Sequence, residues 1–228
     1  MSLRNTNLDI WENIFKNNEW GKYPAIAVIK FIARNFYKYE HRSNVKILEI
    51  GSGPGANLWY MAREGFSVYG IDGSDTGCKQ AISRLTSDHL DGMIGEVKAG
   101  DYLDKLNDFP DEYFDAIIDC ESLYCNSFKK SREVIVRSFK KLKPEGRMLS
   151  ITFADGTYGI DGEEIGYHAV IPINGPMSGK GYTRYTTRDD IERLYHLNCN
   201  SVVSVERQDL HLHKGNIIKE WIIEVWKN

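Results

Sequence analysis

The stretch Ile47–Asn57, ILEIGSGPGAN, runs from an apolar segment into three closely spaced glycines. The apolar part, VKILEI, is short and rich in branched residues, which predicts a strand buried on both faces. The following ANLWYMARE has apolar residues at helical spacing, and Gly65 marks the end of that helix. Gly51, Gly53 and Gly55 let the backbone turn sharply and keep side chains away from a ligand. The stretch therefore predicts a site for a nucleotide-like cofactor.

Acidic residues near the strand ends help to choose between cofactors. The second predicted strand, FSVYGID, ends in Asp72, which is placed to accept hydrogen bonds from both ribose hydroxyls. The glycine spacing also permits a dinucleotide. However, Glu49 would repel a pyrophosphate and suits an ammonium and a sulfonium, and Asp101 is placed to bond an adenine amino group. The chain also lacks the Tyr-x-x-x-Lys pair usual in a reductase of this length. These features disfavour NAD.

The alternation of strands and helices continues beyond this unit. Strands are predicted at EVKAGD, YFDAIIDC and RMLSITF, with a helix over SFKKSREVIVRSFKKLK and a turn at KPEG. A helix follows at TTRDDIERLYHL, capped by Thr187 or Thr186, and the two last segments alternate as an antiparallel hairpin. The pattern predicts an α/β, doubly wound, mostly parallel sheet with helices on both faces.

No linker divides the chain, so we expect a single domain over residues 1–228. Residues 1–43 are predicted to form a helical cap, interrupted at EWGKYP. The glycine-rich segment 154–182 is too long for an ordinary connection and predicts a substrate loop or lid with some extended structure.

Five ordered motifs resemble the class I S-adenosylmethionine-dependent methyltransferases, of the type that acts on small molecules. They are ILEIGSGPGAN, VYGIDGS, AGDYLDKL, YFDAIIDCESLY and FKKLKPEGRMLSITF. The resemblance implies a Rossmann-like seven-stranded sheet of order 3-2-1-4-5-7-6, in which the last strand alone is antiparallel.

The resemblance also implies which residues contact S-adenosylmethionine and its product S-adenosylhomocysteine. The glycine turn and Glu49 would surround the methionine part, Asp72 the ribose, and Asp101 the adenine, while an N-terminal aromatic covers the cofactor. The implied set is Glu49, Gly51, Ser52, Gly53, Gly55, Asp72, Gly73, Ser74, Asp101, Tyr102, Cys120, Glu121 and Tyr23.

Methyl transfer to a hydroxyl needs a base, whereas a neutral amine needs only correct placement. His168, in the long loop, is the first candidate because imidazole titrates near neutral pH. Tyr124 follows the fourth strand and is a second candidate, with packing against the substrate as the other reading. For Glu121, cofactor contact is favoured over a role as base.

Composition limits the acceptor and the location. Lys and Arg total 29 against 32 Asp and Glu, so there is no excess of cations for nucleic acid. No apolar run reaches the length of a membrane span, and a cytoplasmic protein is expected. The four cysteines lack metal-ligand spacing, and the His211-x-His213 pair is not taken as a metal site.

We expect a small-molecule acceptor, with O-methylation ahead of N-methylation. A non-catalytic cofactor-binding protein and an NAD-dependent oxidoreductase are the alternatives.

Overall fold

A computed structural model describes residues 3–197 and 201–228. The helices are α1 (Leu3–Asn17), α2 (Ile26–Phe36), α3 (Ala56–Arg63), α4 (Asp75–Ser87), α5 (Tyr102–Leu106), α6 (Phe128–Lys141) and α7 (Arg188–Tyr195). The strands are β1 (Lys46–Ile50), β2 (Ser67–Asp72), β3 (Ile94–Ala99), β4 (Phe114–Cys120), β5 (Leu142–Phe153), β6 (Glu164–Gly166), β7 (Ala169–Val170), β8 (Thr183–Arg184), β9 (Ser201–His211) and β10 (Ile217–Lys227). Cys199 lies outside the described residues.

The main sheet has seven strands in the order β3-β2-β1-β4-β5-β10-β9. Strands β1 to β5 pair in parallel, and β10 is antiparallel to both β5 and β9. The predicted order and the C-terminal hairpin are therefore confirmed. The first break in strand order separates β1 from β4, and parallel sheets bind ligands in the crevice beyond such a point.

Both faces of the sheet carry a buried apolar layer, as a parallel sheet requires. One layer joins strand residues such as Leu48 and Ile117 to α6 and α7. The other joins residues such as Ile47 and Ile118 to α2, α3 and α4. Because helices cover both faces of the sheet, a ligand is expected to bind at the carboxyl ends of the strands.

The turn predicted at KPEG occurs inside a strand. Phe114 pairs with Leu142 and Ala116 with Arg147, so four residues of β5 bulge out opposite one residue of β4. Glu145 takes a positive φ of 63° in this bulge. The Pro-Gly signal therefore marks an irregularity within β5, and the strand begins earlier than predicted.

The long segment after β5 folds into a small antiparallel sheet of order β6-β7-β8. It is attached to the main sheet by a bridge between Ala154 and Thr186. Thr187, not Thr186, caps α7, and its hydroxyl and the Asp190 carboxylate form a reciprocal capping box. We call residues 154–185 the roof segment. None of the helices described is long and apolar enough to cross a membrane.

Candidate functional site

A cavity of about 650 Å³ lies at the carboxyl ends of β1, β2 and β4, beneath α1 and the roof segment. Its size is that of an ordinary cofactor or substrate site. Its lining includes residues from the glycine turn, the end of β2, the turn after β4 and the roof segment. The sheet edge and two separate coverings therefore meet around one space.

The glycines after β1 have two different roles. Gly51 and Gly53 line the cavity and have φ of 75° and 48°, the left-handed region that glycine adopts most easily. A Cβ on Gly51 would lie 2.0 Å from the Ser122 hydroxyl oxygen, so backbone must pass there. Gly55 caps α3, and its Cβ would lie 2.8 Å from Cβ of Ala81. The structure thus places Gly55 in the packing of α3 on α4, not in the cavity lining.

Glu49 is a buried carboxylate with one free oxygen. The Asn57 amide donates to its Oε1 at 2.6 Å, while Oε2 has no partner among the described residues. Burial raises the pKa of Glu49 to about 8, opposed by the hydrogen bond from Asn57. An unpaired buried carboxylate oxygen costs free energy until a donor reaches it. An ammonium group of a ligand fits this requirement.

Cys120 lies beside Glu49 on the cavity wall. Burial raises the pKa of its thiol well above the usual range, and the charges of Glu121 and Glu49 act in the same direction. The thiol therefore stays neutral and offers a small, apolar wall next to the two carboxyl groups.

Asp72, at the end of β2, is held by backbone groups. The N–H groups of Gly53 and Ser74 each donate to its carboxylate at 2.8 Å. Burial raises its pKa to about 6, although these hydrogen bonds oppose the shift. Ser74 is buried, and its hydroxyl caps α4 by accepting from Gly77 N–H and also bonds Glu12 of α1. Asp72 and Gly73 line the cavity, whereas the Ser74 side chain is part of this cap.

Asp101 and Tyr102 line the cavity on its other side. Asp101 caps α5 through Leu103 N–H and forms an ion pair with Lys130 at 2.6 Å. The Tyr102 hydroxyl lies 2.8 Å from the Ser122 hydroxyl, across the glycine turn. Asp101 is therefore already neutralised by a cation that the sequence analysis did not identify.

Helix α1 closes the cavity from above. Asn7 binds the roof segment through Tyr182 N–H at 2.8 Å and Tyr182 O at 3.2 Å, and Glu12 accepts from the Thr76 hydroxyl at 2.6 Å. On the same helix, Trp11 and Phe15 face the cavity, with ring centroids 5.6 Å apart. Tyr23 also lines the cavity and is 82% exposed, which places it at the mouth.

An aromatic group lies beyond the turn after β4. The rings of Tyr124 and Phe153 are 4.9 Å apart, and the Tyr124 hydroxyl donates to Met177 Sδ at 3.2 Å. Burial raises the pKa of Tyr124 well above its usual range, so the phenol stays protonated at neutral pH. Tyr124 thus forms part of the cavity wall, and the structure does not favour it as a base.

The structure does not bring His168 into the cavity. Its imidazole stacks between Tyr167 and Tyr185, at 4.1 and 5.0 Å, and its Nδ1 lies 2.7 Å from Asp190 of α7. His168 is not among the described residues that line the cavity. The path of the loop, which sequence spacing does not fix, turns this side chain onto α7 and away from the cavity, and the role of His168 as base stays a prediction.

Several cavity residues had no signal in the sequence. Asn57, Lys180, Lys130 and Trp11 reach the cavity from separate elements, and only the folded chain assembles them. Among the described residues, no group of three or more His, Cys, Asp or Glu side chains is arranged to hold a metal ion.

The fold and this site together define a class I S-adenosylmethionine-dependent methyltransferase. The sequence profile of the methyltransferase domain family matches residues 41–168, more than half of the chain, and the chain belongs to that family. The glycine turn, the free oxygen of Glu49 and the backbone-held Asp72 fit the cofactor of this family.

Solved structures with the same fold are distant in sequence. A Methanosarcina mazei S-adenosylmethionine-dependent methyltransferase is 22% identical, with TM-score 0.63 over 81% of this chain and 93% of that one. Geranyl diphosphate C-methyltransferase from Streptomyces coelicolor A3(2), in complex with Mg²⁺, geranyl diphosphate and S-adenosyl-L-homocysteine, is 13% identical, with TM-score 0.66 over 100% and 98%. The 1,6-didemethyltoxoflavin-N1-methyltransferase of Burkholderia thailandensis is 16% identical, with TM-score 0.62 over 89% and 76%. No curated protein has a significantly similar sequence.

Proposed function

We propose that the protein transfers a methyl group to a small acceptor with an apolar body, seated between the turn after β4 and the roof segment. The proposal rests mainly on one observation, that the cavity has two chemically different parts. One part contains Glu49, Asp72 and the glycine turn, which suit a cofactor with an ammonium group and a ribose. The other contains Tyr124, Phe153 and Met177, which suit an apolar acceptor.

S-adenosylmethionine supplies an already activated methyl group, so placement of the acceptor is the main contribution required of the protein. Glu49 would bind the ammonium of the cofactor, and Asp72 would receive the ribose hydroxyls in addition to its two backbone donors. Helix α1 would exclude water through Trp11 and Phe15. We keep a hydroxyl ahead of an amine as the acceptor group. Similar folds act at nitrogen and at carbon, so the fold does not decide this point.

The enclosed cavity supports a small molecule over nucleic acid. Its cover is attached at two points of α1, Asn7 and Glu12, and its lining is a mixture of carboxylates and aromatic rings. Burial lowers the pKa of Lys180, and Lys130 is already paired. This lining does not resemble a cationic track for a phosphate backbone.

The test is calorimetric titration with S-adenosylhomocysteine and, separately, NADH, followed by turnover assays. We expect binding of the first ligand alone. Turnover would be measured as S-adenosylhomocysteine formed from S-adenosylmethionine with a panel of substituted phenols, arylamines and alkyl alcohols. NADH binding would overturn the cofactor assignment. Cofactor binding without turnover on any acceptor would favour the non-catalytic alternative.

A further inference from the structure

Glu121 is the residue of the cavity whose backbone is strained. It follows β4 directly and has φ of 55°, a conformation uncommon for a residue that is neither glycine nor asparagine. Its N–H donates to Ile151 O of the neighbouring strand at 3.0 Å, which holds the turn in place. Strain that is maintained by surrounding structure is found preferentially at functional sites. At Glu121 it turns a carboxylate into the cavity.

A second carboxyl group lies against Glu121. Glu220 is on β10, opposite Phe153 of β5, and its negative charge raises the pKa of Glu121. A second carboxyl group nearby disfavours the charged form of the first, because like charges repel at close range. Glu220 stands behind Glu121, since Glu121 alone of the two lines the cavity.

The other ionisable groups around Glu121 complete its surroundings. Burial raises its pKa to about 8, the pairing with Glu220 adds to this shift, and the charge of Lys180 opposes it. Cys120 and Tyr124 are the remaining ionisable neighbours, and burial keeps both protonated. The half-buried Lys180 amine lies 5.0 Å from the Trp20 ring centroid. Glu121 therefore has protein on most sides, yet its side chain is exposed to the open cavity, where its carboxyl group can exchange a proton with solvent.

We propose that Glu121, with Glu220 behind it, is the proton acceptor for the methyl acceptor. This assignment rests on the proposed function and narrows the acceptor to a group that must lose a proton, such as a hydroxyl, a thiol or an ammonium. The acceptor's heteroatom forms a bond to the methyl carbon, and the carbon–sulfur pair passes to sulfur. The heteroatom's proton moves to a Glu121 carboxylate oxygen and leaves from there to solvent.

An acceptor-independent test uses proton release. Calorimetry is done at pH 7 in buffers of different ionisation enthalpy. It gives the number of protons released when S-adenosylmethionine binds and the number released when S-adenosylhomocysteine binds. Both ligands carry the ammonium that Glu49 would meet, so the effect of this group cancels in the difference, and the Glu121→Gln variant below separates the effect of the sulfonium on Glu121 from its effect on Glu49. The positive sulfonium alone would drive a proton from Glu121, so we expect greater release with S-adenosylmethionine. Equal release for the two ligands would overturn the assignment.

Substitutions then identify the group. Glu121→Gln should abolish the difference in proton release while S-adenosylhomocysteine affinity stays within about three-fold, and turnover on the best acceptor should fall by about 100-fold or more. Glu121→Gly, which accepts the backbone angle, should give the same loss and guards against an effect of misfolding. Glu224→Gln is the control, because Glu224 lies on β10 four residues beyond Glu220 and pairs with Arg34. It should change nothing.

The pH profile separates the two carboxyl groups. A base must be ionised, so wild-type turnover should rise with pH, and because the sulfonium of the bound cofactor favours the charged form of Glu121, the rise should level off below the pKa of about 8 of the ligand-free protein. Glu220→Gln removes a negative neighbour, lowers the pKa of Glu121 and should move this rise to lower pH. An unmoved profile would remove Glu220 from the pair. Absence of S-adenosylhomocysteine binding would instead contradict the proposed function, whereas binding with full turnover in Glu121→Gln would contradict this assignment alone.

Discussion

The two sides of the cavity are built in different ways. On the cofactor side, contacts are mainly short in sequence: Gly53 N–H and Ser74 N–H hold Asp72, and Asn57 holds Glu49. On the acceptor side, contacts join distant parts of the chain. Asn7 holds Tyr182, 175 residues away.

This difference has a physical consequence. A strand-turn-helix unit carries its own geometry, so the cofactor side depends on glycine conformation and buried charge. The acceptor side depends on the docking of α1 and the roof segment, whose few attachments make local opening easier. Substitutions on the first side should therefore abolish cofactor binding, whereas those on the second should mainly alter access and stability.

The largest effect is expected at Gly51. Gly51→Ala would place Cβ 2.0 Å from the Ser122 hydroxyl oxygen at a φ of 75°, so the turn after β4 or the glycine turn must move. We expect S-adenosylhomocysteine affinity to fall more than 100-fold in calorimetry. Gly92→Ala is the control, because nothing lies within 4 Å of its Cβ.

Gly55→Ala should lower thermal stability, through contact with Ala81, more than it lowers S-adenosylhomocysteine affinity. Equal affinity losses at Gly51 and Gly55 would mean that packing, not ligand contact, explains the turn.

The next largest effect is expected at Glu49. Its substitution by glutamine should weaken cofactor binding but should make the ligand-free protein more stable at high pH. Glu49→Gln keeps an acceptor for Asn57 but removes the charge, so S-adenosylhomocysteine binding should weaken by about 1.5 to 3 kcal/mol. The folded pKa of about 8 exceeds the ordinary 4.5, so the folded state holds the proton more tightly. Stability from this group is therefore present below pH 4.5 and lost as pH rises toward 8.

Denaturant unfolding of the ligand-free protein at pH 5 and pH 8 checks this sign. We expect the free energy of unfolding to decrease between these values in the wild type, and to decrease less in Glu49→Gln. Asp72 and Asp119, whose pKa values burial raises to about 6, also contribute to this decrease, so the comparison uses the difference between the two proteins. A variant that is weaker in binding and also less stable at pH 8 would contradict the burial of an unpaired charge.

A smaller effect is expected on the acceptor side at Asn7. Asn7→Ala removes hydrogen bonds to Tyr182 N–H, Tyr182 O and Cys125 O, and leaves those backbone groups without their partner. The cost should be about 2 to 3 kcal/mol for the docking of α1. Hydrogen exchange in residues 3–17 should become faster, while S-adenosylhomocysteine affinity falls about ten-fold or less. If residues 3–17 exchanged hydrogen at the same rate in Asn7→Ala as in the wild type, α1 would be held in place by other contacts.

The same division explains what the sequence could predict. The order of the sheet and the hairpin follow from strand periodicity and from motif order, which are local signals. Asp72 and Glu49 were predicted as cofactor contacts for the same reason, since Asp72 is the last residue of β2 and Glu49 lies one residue before the end of β1. Gly55 and Ser74 lie in the first two of the five motifs, yet in the structure they serve the caps and packing of helices.

The acceptor side could not be predicted in this way. Glu220 reads as an ordinary polar position of an alternating strand, and its contact with Glu121 depends on β10 lying beside β5. Lys180 and Asn7 have no pattern that marks them, because their partners are set by the path of the roof segment. Residue type alone suggested His168, and it could not reveal that Asp190 lies in contact with it.

The smallest effect is expected at His168, and it decides whether the roof segment contributes a catalytic group. Burial acts to raise the pKa of Asp190, but hydrogen bonds from Thr187, His168 and Tyr167 outweigh it and lower the pKa. His168→Ala removes one of these donors and the ring between Tyr167 and Tyr185, so stability should fall by about 1 to 2 kcal/mol. Turnover should stay within about two-fold, with cofactor affinity unchanged.

His168→Asn is the matched variant, since asparagine tolerates the φ of 50° at this position and can still donate to Asp190. It should recover part of the lost stability, measured as the midpoint of thermal unfolding, and leave turnover equal to that of His168→Ala. If turnover instead falls 100-fold in both variants while Glu121→Gln remains active, the proton acceptor lies in the roof segment. The roof would then have to rearrange, since its imidazole is bound to α7 and stacked between two tyrosines.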